Sequence, residues 1–216
     1  HSYAPHEADW KSGDPDWGGG KGRAIIGALN YLAAHHVNSL YFLLMNVGGD
    51  GKDVWPWAGR PNRKGSSSDD TLHYDISNLH QWNIVFEYAQ RLGIVLHVVF
   101  NEAEAENKKE LDGGELGDSR KLYYREMIAR FGHHPALVWN LCEEYNLGFN
   151  LGPERVREFA RFIRSHDPYQ HPITVHSAGD PLKALAFTFG DPLFDLTSVQ
   201  LNQRRIDLVT ERIRRE

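Results

Sequence analysis

The chain has 216 residues, 41% apolar and 25% charged, the balance of one globular domain of generous size. That composition excludes a disordered tail, a fibrous repeat and a small disulfide scaffold, and no apolar run approaches the roughly 20 residues that cross a bilayer. A net charge of −5 with pI near 6.2 argues against a nucleic-acid partner, and a lone cysteine, Cys142, leaves the redox compartment open.

Residues 1–23 are rich in Gly, Asp, Pro and Trp and read as loop. A helix follows over 24–36, with Ile25, Leu29, Leu32 and Ala33 on one face. Ser39 to Val47 is a nearly continuous apolar run that fits a strand covered on both faces. A long polar loop over 48–72 holds Trp55-Pro56-Trp57, and Asp75 is placed to cap a helix running to Leu92, with Leu79, Trp82, Val85, Phe86 and Ala89 inward. The second strand is Ile94 to Phe100, followed by an acidic segment over 101–118 and a helix over about 119–131 carrying Leu122, Tyr123, Met127 and Phe131. A third strand spans Ala136 to Cys142. Pro153 then opens a helix that buries Val156, Phe159, Ala160 and Ile163. Shorter strands over 172–176 and 196–201 and a closing amphipathic helix from 203 complete the chain.

Strand and helix alternate throughout, which points to parallel α/β architecture, either an open doubly wound sheet or a (β/α)8 TIM barrel. No glycine-rich phosphate fingerprint follows a strand, so a dinucleotide fold has no positive support. Polar residues instead close nearly every strand at its C-terminal end: Asn46, Asn101 with Glu102, Glu143 with Glu144, His176, and Gln200 with Asn202. In barrel enzymes that edge gathers the catalytic groups. Five strands are too few to close a barrel, so the expectation is an incomplete one, covering about strands 2 to 6 within a single partial domain over 1–216.

The strongest local signal is HPALVWNLCEEYN, residues 134–146, a buried strand that emerges into adjacent carboxylates. Partial desolvation and a neighbouring negative charge both raise a carboxyl pKa, which suits a proton donor. Adjacent strand residues point to opposite faces, so one glutamate faces the axis and the other orients it or belongs to the loop. The alternative is an acidic loop after a strand. This segment resembles the fourth strand of clan A glycoside hydrolases, in which an aliphatic strand containing Trp ends in Asn-Glu. Aligned on Trp139, the family's Asn falls on Glu143 and its acid/base Glu on Glu144. The stretches 45–57 (MNVGGDGKDVWPW), 98–104 (VVFNEAE) and 132–148 are similar to a narrower group of bacterial glycoside-hydrolase-like barrels that often carry an N-terminal β-sandwich domain.

The resemblance implies a secreted or periplasmic hydrolase of O-glycosidic bonds that needs no cofactor, with Glu144 as general acid. Glu143, Asn140 and His176 would be polar support or substrate contacts, and Asn46, Glu102 and Gln200 lining residues. It also implies that the clan's nucleophile, a glutamate on a seventh strand, lies beyond residue 216, so that this polypeptide alone is inactive. Trp55 and Trp57 either stack on sugar faces or pin their loop to the barrel. Asp50 and Asp53 lack the spacing of a calcium loop and read as turn residues beside Gly48, Gly49 and Gly51. His97, inside an apolar strand, reads as a satisfied interior histidine, His133 and His134 as structural, and the segment after Glu102 as a solvated surface loop. Two other readings stay open: a carbohydrate-binding barrel without catalysis, and a metal-dependent hydrolase assembled from strand ends such as His97, His176 and Glu144, although no zinc-type spacing is present.

Overall fold

The computed structural model describes residues 4–46, 55–58, 71–200 and 206–215. In chain order, its regular elements are helix α1 (Arg23–Ala34), strand β1 (Ser39–Leu43), α2 (Ile76–Arg91), β2 (Val95–Val99), α3 (Ala105–Glu110), α4 (Asp118–Phe131), β3 (Leu137–Asn140), α5 (Gly152–His166), β4 (Ile173–Thr174), β5 (His176–Ser177), α6 (Pro181–Ala184), β6 (Ser198–Val199) and α7 (Ile206–Ile213). A 3-10 turn over Ala4–Asp9 precedes them, within the segment read as loop.

Strands β1 to β4 form one parallel sheet in sequential order, and β5, one residue beyond β4, pairs in parallel with β6. Sequential order without reversal is the winding of a barrel; a doubly wound sheet reverses at a switch point. The two faces of the sheet differ accordingly. On one, Phe42 packs edge-on against Trp82 and Phe86 of α2, while Trp139 stacks on Phe100 at 5.0 Å, which in turn meets Tyr123 and Tyr124 of α4. On the other, Tyr41, His97 and Val138 stand in register and are only partly covered, Tyr41 being 40% exposed. The helices therefore lie on one side and the inner, barrel-axis face on the other. The architecture is an α/β arc that fits an incomplete barrel.

Local chemistry explains the element boundaries. Asp75 accepts a hydrogen bond from the Asn78 amide (3.0 Å) and caps α2 as its position predicts, and Pro153 stands in the first turn of α5. Val156, Phe159, Ala160 and Ile163 are fully buried, as the periodicity of α5 requires. The strands are shorter than their apolar runs because residues such as Leu44, Met45, Leu141 and Cys142 are buried beyond the last ladder pairs. The N-terminal segment is tied down through Tyr88, whose hydroxyl meets Asp14 Oδ1 and Asn30 Oδ1, both at 2.8 Å. Among the described residues no helix is long and apolar enough to cross a membrane.

Candidate active site

The C-terminal edge of the sheet carries the polar residues that the strand pattern places there. Asn46, just past β1, donates from Nδ2 to Glu102 Oε1 at 2.9 Å, and both side chains are buried. Glu102 is in turn fixed through its own amide, which donates to Asn107 Oδ1 at 2.8 Å. Asn140 ends β3, fully buried, with Nδ2 3.0 Å from His97 Nε2 and its Oδ1 accepting from the Cys142 amide at 3.2 Å. His97 is thus satisfied inside the sheet. Burial, with His176 nearby, pulls its pKa down to about 4, so the ring is neutral near neutral pH.

Glu143 and Glu144 leave the pleat, as two adjacent inward carboxylates must. The Glu143 amide still donates to Asn101 O at 2.8 Å, but Glu144 turns into the left-handed region with φ 41°. Its carbonyl accepts from the Leu147 amide (2.9 Å), and Gln200 Nε2 donates to its Oε1 at 3.2 Å across the edge from β6. Glu102, Glu104, Glu143, Glu144 and Gln200, with Leu147 and neighbouring backbone, line a cavity of about 370 Å³. Four acidic residues and one glutamine therefore border a single space of monosaccharide-to-disaccharide scale. His176 lies apart from that lining. It is 5% exposed, its Nδ1 has no hydrogen-bond partner among the described residues, and burial lowers its pKa.

Trp55 and Trp57 are 8% and 1% exposed, packed on each other at 4.9 Å, with Trp57 also against Tyr123 of α4 at 5.5 Å, which favours the packing alternative over stacking on a sugar. One expectation is corrected. The segment after Glu102 is not a solvated loop: it contains α3, whose Asn107 and Lys108 are wholly buried beneath the cavity. The Lys108 ammonium donates to the carbonyls of Glu144 (2.7 Å) and Leu147 (2.6 Å). Burial lowers its pKa, against the pull of Cys142, Glu144, Glu104 and Glu143.

Arg120, also fully buried, and Asn101 are further parts of this floor that strand-end reasoning did not single out as a network. The Cys142 thiol is sealed at 0% exposure and pushed up to about 12, chiefly by burial. His134 is structural, its Nδ1 2.9 Å from Gln90 Oε1. Among the described residues no three His, Cys, Asp or Glu side chains are grouped as a metal ion requires. Asp50, Asp53, their neighbouring glycines and Asn202 lie outside the described residues.

No family model and no curated protein matches the chain. Solved structures do. It is similar to an endo-1,4-beta-mannanase from Rhizomucor miehei (TM-score 0.59, 13% identity, 82% of this chain and 62% of that one). A glycoside hydrolase family 5 mannosidase from the same organism, in complex with mannosyl-fructose, matches with TM-score 0.60 at 12% identity, over 85% of this chain and 52% of that one. An endoglucanase from Pseudomonas stutzeri, in complex with cellobiose, gives 0.53 at 15% identity, over 81% and 50%. At such identities the likeness shows the fold alone: the chain has part of the α/β barrel architecture found in these enzymes. The chain spans less than two thirds of each of these proteins.

Proposed function

We propose that the chain is the acid-bearing part of a glycoside hydrolase that cleaves O-glycosidic bonds of a poly- or oligosaccharide, with Glu144 as the proton donor. The observation that carries this reading is the gathering of Glu102, Glu143, Glu144 and Gln200 around one cavity at the C-terminal edge of a barrel-type sheet. A carboxylic acid there protonates the departing glycosidic oxygen. Gln200, bonded to Glu144 Oε1, fixes the rotamer of that carboxyl and leaves the second oxygen to face the substrate. Glu143 stands where clan A enzymes have Asn, and takes the sugar hydroxyl contact in this reading. Asn46 orients Glu102 as a second hydroxyl acceptor, while Asn140 and His176 support the site from behind.

In this reading Glu144 works with a second, opposing carboxylate of the complete protein, about 5–5.5 Å away in a retaining enzyme and about 6.5–9.5 Å away in an inverting one. The fold neighbours make β-1,4-linked mannans and glucans the first substrates to try, and a periplasmic or extracellular location goes with this reading.

The test is sugar release by the complete protein from a panel of such polysaccharides, beside its Glu144→Gln variant. Loss of the donor costs at least about 100-fold in rate on substrates with poor leaving groups. Near-normal turnover by the variant removes Glu144 from the role. Specific retention of a polysaccharide with no release by the complete protein would make this a carbohydrate-binding barrel instead.

A further inference from the structure

We propose that Lys108 and Arg120 form a buried cationic brace that positions Glu144, an inference that rests on the reading of Glu144 as proton donor. Lysine is almost never fully buried without a strong partner. Here the ammonium is 0% exposed, and its hydrogen bonds go to two main-chain carbonyls, those of Glu144 and Leu147. These are the two ends of the tight turn closed by the Leu147 amide on Glu144 O. The turn includes a non-glycine residue at φ 41°, a conformation that persists only when its surroundings impose it. Charge-assisted bonds inside a low-dielectric floor are the imposing element.

Arg120 connects this arm to a second one. Its Nη2 donates to the carbonyls of Lys108 (2.8 Å) and Leu111 (3.0 Å), and its Nε to Glu115 O (2.9 Å), which locks α3 and its following turn in place. Its Nη1 donates to Asn101 Oδ1 at 2.8 Å. Asn101 then grips the glutamate-bearing backbone from the strand side, with Nδ2 on Leu141 O (2.9 Å) and its carbonyl accepting from the Glu143 amide (2.8 Å). One guanidinium thus anchors two arms that bracket residues 141–147. Neither Lys108 nor Arg120 lines the cavity, so both are positioning residues that act through the backbone of Glu143 and Glu144.

Two readouts on Lys108→Met test the brace. In the complete protein, kcat/KM on an unactivated oligosaccharide falls about 10- to 100-fold, the scale of a misplaced catalytic group. On a dinitrophenyl glycoside of the same sugar, whose leaving group needs no proton, kcat/KM stays within about threefold. Equal falls on both substrates indicate a general structural role and overturn the proposal. The Glu144→Gln control separates the two hypotheses: if it lacks the same leaving-group dependence, the assignment of Glu144 has failed rather than the brace. The second readout needs no activity. Amide exchange at Leu147 rises about 10-fold or more in Lys108→Met while the amides of Trp139 and Leu141 in β3 keep their protection. Unchanged exchange at Leu147 overturns the proposal by itself. Lys108→Gln keeps one neutral donor and falls between the two proteins in both assays; it takes the place of Lys108→Met should that variant not fold.

Discussion

Asp167 is a carboxylate whose removal should unsettle the sheet from outside the cavity. It follows α5, is 2% exposed, and accepts four hydrogen bonds: from the Trp139 indole (3.1 Å), the His171 amide (2.9 Å), the His171 ring (2.8 Å) and the Tyr169 amide (3.0 Å). Burial pushes its pKa up, but the bonds from His171, Tyr169 and Trp139 outweigh that and hold it below the ordinary carboxylate range. Asp167→Ala strands these donors, each worth about 1–3 kcal/mol when left buried and unpaired. Because they share one acceptor, and some recover partners on relaxation, the losses do not add, and we expect about 3 kcal/mol in total. For a domain of this size that corresponds to a midpoint lower by roughly 6–12 °C.

The effect has a sign in pH. A carboxyl with a depressed folded-state pKa contributes stability that is present above its unfolded value of about 3.9 and is lost as pH falls through the folded value. The gap between wild type and Asp167→Ala in urea unfolding is therefore constant above about pH 5 and narrows below about pH 4. A gap under about 1 kcal/mol at pH 7, or one that widens in acid, refutes the reasoning.

Glu110 gives the opposite sign. Burial raises its pKa to about 7, so the folded state loses stability as pH rises from the ordinary carboxyl range toward that value. Glu110→Gln should raise the thermal midpoint at pH 8 and leave it nearly unchanged at pH 4, a difference readable by scanning fluorimetry at the two pH values. Gly27 lies where α1 meets the 3-10 turn over Ala4–Asp9, and a Cβ there would overlap the carbonyl oxygen of His6. Gly27→Ala should release residues 4–9 from α1, seen as faster proteolysis ahead of Trp10 with the sheet intact; unchanged cleavage would show that the turn can shift to make room.

Helices α2, α4 and α5 were legible in the sequence because each buries one face at helical spacing, α2 and α5 with a local start signal at Asp75 and Pro153. Helix α1 was legible as a helix, but the residues it buries are Ile26, Gly27, Ala28 and Leu29, because the 3-10 turn over Ala4–Asp9 packs on it. The strands β1 to β3 were legible as apolar runs, although the inner face of β1 is not covered as such a run suggests, Tyr41 being 40% exposed. Tertiary context hid the rest. The sequence AENKKE in α3 has the composition of a surface loop, and nothing local distinguishes a solvated Lys108 from one turned down onto two carbonyls. Trp55 and Trp57 could be placed in a loop but not oriented, since ring exposure depends on a partner such as Tyr123, some 66 residues further along the chain from Trp57. The polar strand ends identified Glu102, Glu143, Glu144 and Gln200 by position alone. That they border one cavity, and that Lys108 and Asn101 hydrogen-bond to the backbone of Glu144 and Glu143, depends on distances between segments that no spacing rule encodes.

The chain's single thiol has a practical bearing. Cys142 sits between Leu141 and Glu143, wholly enclosed, with its ionisation suppressed, so the folded chain should resist cross-linking in air and react slowly with disulfide reagents. Modification requires the end of β3 to come away from its neighbours, because both low access and low thiolate content must be relieved together. The rate at which a thiol reagent labels the native protein is thus an intrinsic clock for the opening of the segment that carries both adjacent glutamates, available without any engineered probe.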